Sequence, residues 1–101
     1  MAAVIMQKWV GFTPEQYDAV RDAVGWDRNT PDGMRLHVAS FDQGALVMTD
    51  VWDSEAQFMT FVQTKIMPAV GALGIAGQPE TAVSALYELN DASATTSATS
   101  G

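Results

Sequence analysis

The chain of 101 residues is predicted to fold as an α+β domain of the ferredoxin-like type, with elements in the order β-α-β-β-α-β. Three observations predict it. Four segments alternate apolar and polar side chains with the period of a strand, and two others carry apolar stripes at helical spacing behind Thr or Ser caps. The third is a single tight turn, Asp42-Gln43-Gly44, which joins two of the strands directly. Such a domain lays four antiparallel strands under two helices that share one face of the sheet. The other face stays bare, and an apolar bare face calls for a partner. A second copy laid sheet against sheet would close it.

Taken in order, residues 3–11, AVIMQKWVG, read as the first strand. Thr13 caps the first helix, Pro14 suits its opening position, and Gln16 completes a capping box. Tyr17, Val20 and Val24 fall on one helical face, which makes Tyr17 a packing residue, and Gly25 supplies the stop. WDRNTPDG, residues 26–33, is a loop of turn formers anchored by Trp26. Residues 34–41 and 45–53 are the second and third strands. Ser54 and Gln57 form a second capping box ahead of Phe58, Phe61, Val62 and Ile66, and Pro68 is expected to kink or end that helix. Gly71, Gly74, Gly77 and Pro79 read as a loose connection, and TAVSALYEL, residues 81–89, as the fourth strand. The domain is expected to span 1–90. The tail 91–101 is small, polar and low in complexity, as disordered segments are.

Composition excludes several functions. With 48% hydrophobic and 17% charged residues the chain is globular. A formal net charge of −7 opposes nucleic acid, whose phosphates demand a basic surface, and opposes an anionic membrane face. With one His and no Cys, no metal site is expected, and disulfides are impossible. The glycines at 71, 74 and 77 follow a helix instead of preceding one, so they do not form a phosphate loop. No cofactor is expected. The opening MAAVIMQKWVGF lacks the basic start of a signal peptide, and a cytoplasmic location is the expectation.

Attention falls on His37, the lone histidine, and on Asp50, both set among strand residues. A two-residue turn at Gln43-Gly44 pairs His37 with Asp50, Arg35 with Trp52 and Ala39 with Met48. Opposed side chains sit about 5 Å apart at Cβ, close enough for a hydrogen bond. A three-residue turn with a bulge at Gly44 would set His37 across from Thr49. The first register is preferred because the second leaves Asp50 under a helix with no partner. The dry face beneath the helices is then expected to hold Leu36, Val38, Val47, Thr49 and Val51. His37 and Asp50 would look away from the helices, toward the dimer partner.

The join VMTDVWDSEAQFMTF resembles the strand-Trp-acid-Ser-Glu-helix signature of the antibiotic biosynthesis monooxygenase-like proteins of the dimeric α+β barrel superfamily. WVGFTPEQYDAV, PDGMRLHVASFD and PAVGALGI extend the resemblance over residues 3–90. It implies a homodimer with a cavity between helices and sheet or inside the barrel. It also implies one of several activities: cofactor-free monooxygenation of polycyclic phenols, polyketide cyclisation, heme degradation or isomerisation. Heme-degrading members carry a ligand histidine on the second helix and an asparagine on the first strand. This chain has neither, with Met6, Gln7 and Lys8 on the strand, and matches only their tryptophan, as Trp52. Heme degradation is therefore not implied.

Two functions fit these readings. In the first, a small cofactor-independent enzyme uses His37, supported by Asp50, to take a proton from a hydrophobic, aromatic or polyketide-like metabolite. Trp52, Met48 and Trp9 would wall the pocket, and Arg35 would bind a carboxylate or enolate. In the second, the same cavity serves a non-catalytic ligand-binding or assembly protein.

Overall fold

The computed structural model describes residues 1–92, so most of the tail expected at 91–101 lies outside the described residues. The elements are β1 (Ala3–Val10), α1 (Pro14–Val24), β2 (Met34–Asp42), β3 (Ala45–Trp52), α2 (Glu55–Phe61), a π-helical stretch (Val62–Ile66), α3 (Met67–Ala72) and β4 (Glu80–Ala85). The four strands make one sheet in the order β2-β3-β1-β4, antiparallel throughout. This is the expected βαββαβ architecture.

The expected local chemistry is present at the first helix. The Thr13 hydroxyl accepts the Gln16 N–H at 3.1 Å while the Gln16 side chain accepts the Thr13 N–H at 3.0 Å, so two otherwise orphaned donors are satisfied at the start of α1. At α2 only half of the box forms. The Ser54 hydroxyl accepts the Gln57 N–H, but the Gln57 side chain turns back onto that same hydroxyl. It also covers Gly33, where a Cβ would come within 2.6 Å of it and φ is +91°. The β2–β3 turn has φ of 49° at Gln43 and 79° at Gly44, the left-handed pair of a primed two-residue hairpin. It produces the register that sets His37 opposite Asp50 and Ala39 opposite Met48.

The faces are the reverse of the expectation. Residues 46, 48, 50 and 52 of β3 align with 9, 7, 5 and 3 of β1, and it is this set that meets the helices. Leu46, Trp9, Phe12, Val20 and Val70 form one core cluster, and Ala3, Ile5, Trp52 and Phe58 a second. The large side chains Trp9, Leu46 and Trp52 carry more apolar surface than Val47, Thr49 and Val51, and the larger burial prevails. Asp50 goes with them, 6% exposed, and is tolerated because its oxygens find donors. Leu36 and Val38 accordingly lie on the open face, 38% and 49% exposed, with Met6 at 52%.

The structure differs from the expectation in four smaller ways. The ladder shifts between Met34 and Leu36, so Met34 and not Arg35 stands opposite Trp52. Pro68 does not end the helix. The preceding π turns take up the missing N–H, with the Met67 N–H reaching back to the Val62 carbonyl, and Pro68 sits at the start of α3 where no donor is needed. Gly71 is inside α3, not in a loop. The last strand stops at Ala85, paired with Ala3, and one further bond joins Leu86 N–H to the Ala2 carbonyl. Residues 87–89 lie outside the strand, and Tyr87 is fully exposed. Among the described residues no helix is long and apolar enough to cross a membrane.

Candidate functional site

A chain of hydrogen bonds starts at the buried indole of Trp52, whose Nε1–H donates to Asp50 Oδ2 at 3.1 Å. Asp50 Oδ1 lies 2.7 Å from His37 Nδ1. The carboxylate can only accept, so His37 donates there from Nδ1 and its Nε2 is left as an acceptor. The Tyr17 hydroxyl fills that position at 2.8 Å. Three elements contribute: α1 provides Tyr17, β2 His37, and the end of β3 both Asp50 and Trp52. The pairing of His37 with Asp50 follows from strand register. Trp52, two residues further along β3, shares the face of Asp50 by the period of the strand.

The chain opens on a cavity of about 80 Å³ between sheet and helices. Its walls are mostly apolar, including Trp9, Phe12, Val20, Met48, Ile66 and Val70, and its polar side chains are Gln7, Tyr17, His37 and Asp50. Trp26 stands edge-on to both Tyr17 and His37, with ring centroids 5.7 and 5.5 Å away. The Tyr17 and His37 rings are parallel to within 3°. Burial raises the pKa of the Tyr17 phenol above its usual 10.0, helped by the charges of Asp50 and Asp18 against the pull of Arg21 and Trp26. The hydroxyl therefore stays a neutral donor throughout the physiological range. Because the folded value exceeds the unfolded one, the stability this confers is complete below pH 10 and is lost as pH rises through the folded value. In a Tyr87→Phe variant Tyr17 is the remaining tyrosine. Its phenolate absorbance is expected to rise with a midpoint above 10.0. A midpoint at or below that value in the folded protein would contradict the burial described.

Of the residues proposed from sequence, His37, Asp50, Met48 and Trp9 line this cavity. Trp9 also donates to the Ala76 carbonyl at 3.3 Å and packs on Phe12. Trp52 is not a wall. It lies fully buried behind Asp50 and against Phe58 and Phe61, and its role is to hold the carboxylate. Arg35 is outside the cavity, ion-paired with Asp53 on the surface beside the ladder shift. Two participants were read from sequence as packing or anchoring residues, Tyr17 and Trp26. A polar-tipped aromatic on the apolar stripe of a helix, facing a strand that bears a histidine, was the available signal for Tyr17. Trp26 follows the helix stop directly, which keeps its backbone beside that same face. Among the described residues no three His, Asp or Glu side chains converge as a metal site would require.

No family model and no curated protein matches the chain. Solved structures do resemble it. A candidate antibiotic biosynthesis monooxygenase from Chloroflexus aurantiacus aligns with TM-score 0.64 and 18% identity over 89% of this chain and 97% of its own. SnoaB, a cofactor-independent oxygenase from Streptomyces nogalater, aligns at 0.61 and 15% identity over 89% and 96%. A protein of unknown function from Nitrosomonas europaea aligns at 0.67 and 16% identity over 88% and 92%. At these identities the likeness shows the fold, that of the antibiotic biosynthesis monooxygenase-like proteins.

Proposed function

We propose that this protein is a small cofactor-independent enzyme that removes a proton from a hydrophobic, hydroxylated aromatic or polyketide-like metabolite held between the sheet and the helices. One observation carries the reading: the only histidine stands in an apolar cavity with each ring nitrogen engaged, Nδ1 by Asp50 and Nε2 by Tyr17. Asp50 fixes the tautomer and favours positive charge on the ring as a proton arrives. Tyr17 occupies the basic nitrogen, so a substrate hydroxyl or acidic C–H either displaces the phenol or passes its proton through it. The apolar walls exclude water and strengthen these interactions. The resulting phenolate or carbanion is electron-rich enough to react with dioxygen, cyclise or isomerise. SnoaB, of the same fold, is a cofactor-independent oxygenase, which favours the first of these.

The test is oxygen uptake with a reactive probe, 1,8-dihydroxyanthrone, by the wild-type protein and by His37→Ala. The reading requires the wild type to accelerate uptake and the folded variant to lose that rate. Equal rates would leave the non-catalytic reading, which is favoured by the small size of the cavity.

The proposed assembly is a homodimer through the open face of the sheet. It is supported by the exposed Met6, Leu36 and Val38, which no helix covers. Val38→Asp places a charge in that patch and is expected to convert a dimer to a monomer of 10.8 kDa in sedimentation experiments. A wild-type protein that sediments as a monomer at high concentration ends the homodimer proposal.

A further inference from the structure

The cavity presents a problem of size. About 80 Å³ is roughly half of what a single benzene ring occupies in a closed apolar cavity, about 150 Å³. An aromatic substrate therefore enters only if a wall moves. A second hollow lies next to it, an open groove of about 500 Å³ between the 26–33 loop and the outer side of α2 and the π-helical stretch. Two residues line both spaces, Trp26 and Phe61. Phe61 is held on its helix against the buried Trp52 ring at 5.4 Å. Trp26 is half-buried on a loop whose backbone bonds gather at its two ends: Arg28 and Asn29 N–H to the Gly25 carbonyl, Met34 N–H to Pro31, and Asp53 N–H to Gly33. Trp26 therefore has a fixed backbone, and rotation of its indole about the side-chain bonds is the movement that would join the two spaces.

We infer that Trp26 is the specificity-determining residue of the site. It divides one channel into a buried end at Tyr17 and His37 and an outer groove, and so sets how many rings a ligand can have. The groove carries Asn29, Thr30, Thr60 and Thr64, with Asp32 and Lys65 balancing in charge. It suits an uncharged, oxygen-bearing portion of a ligand whose phenolic ring lies inside. This inference rests on the reading that the cavity binds a hydroxylated arene.

The experiment is a calorimetric titration with phenol and 2-naphthol, which differ by one fused ring. Trp26→Ala merges the two spaces, and the ratio of 2-naphthol to phenol affinity is expected to rise by about tenfold or more over wild type, the scale of an added apolar group admitted to a pocket. Met67→Ala widens the cavity on its solvent-facing side without opening it to the groove, since Met67 is half exposed and lines only the former. It is expected to leave the ratio within about twofold. If Trp26→Ala does not fold, Phe61→Ala removes the other shared wall and decides the matter by the same ratio. An unchanged or lower ratio in the folded variant, or an equal rise in Met67→Ala, overturns the inference while leaving the arene-binding reading intact. Phenol that binds to none of these proteins overturns both.

Discussion

His37→Ala is expected to slow turnover of a responsive substrate by about 10²- to 10⁴-fold, the usual contribution of a positioned general base. The fold should survive, because the ring lies near the edge of the sheet on β2, which pairs only with β3. Two neighbouring substitutions separate the roles along the chain. Asp50→Asn keeps the shape but presents an amide to Nδ1, so the imidazole loses both its tautomeric guide and the negative charge that supports its protonation. Its rate should approach that of His37→Ala. Tyr17→Phe frees Nε2. If substrate displaces the phenol, this variant keeps most of the rate; if the proton travels through the phenol, it loses it. Rates unaffected by all three changes, in proteins with native circular dichroism, would remove the chemistry from this site.

Trp52→Ala is expected to be the most destabilising single change. Its side chain is fully buried and meets Phe58 and Phe61 at 5.7 and 5.4 Å between ring centroids. Truncating such a residue costs about 3–5 kcal/mol from lost burial and the cavity left behind. Against a total stability of about 5–15 kcal/mol for a domain this size, that is a large share. The melting temperature should fall by roughly 12–40 °C, at 4–8 °C per kcal/mol. Trp52→Phe divides the effect. It retains most of the ring contact but removes the N–H that Asp50 Oδ2 accepts, leaving one oxygen of a buried carboxylate short of a donor, at about 1–3 kcal/mol. A Trp52→Phe protein that melts with the wild type would show that the indole N–H does not hold Asp50.

The succession of strands and helices, the helix starts and the hairpin register were legible in the sequence because each has a local cause: the period of two, the Thr13 and Ser54 caps, and the Gln43-Gly44 turn. The pairing of His37 with Asp50 follows from that turn alone. The side of the sheet on which the pair stands did not follow, because alternation gives two apolar sets and only tertiary packing chooses between them. Treating Asp50 as too polar for the helix side gave the wrong answer. A buried carboxylate is excluded only when it lacks partners, and the partners that retain this one come from Trp52 on its own strand and His37 across the ladder. The exclusion of Arg35 could not be read from alternation either, since a one-residue slip near Met34 moves it off the expected pairing. Tyr17 and Trp26 depended on how closely α1 and its following loop approach β2, a distance that no local pattern encodes.

The wide turns at Val62–Ile66 have a consequence for how this wall of the cavity is built. In a regular helix each residue turns the chain by about 100°, so side chains four apart drift steadily around the axis. Phe58, Val62, Ile66 and Val70 are spaced by four, and all of them face the cavity. The slower winding in mid-helix cancels the accumulated drift and keeps the row straight along its whole length. Even winding of the same residues, without the wide turns, would carry Ile66 about 80° and Val70 about 120° around the axis from Phe58 and leave the cavity without that side.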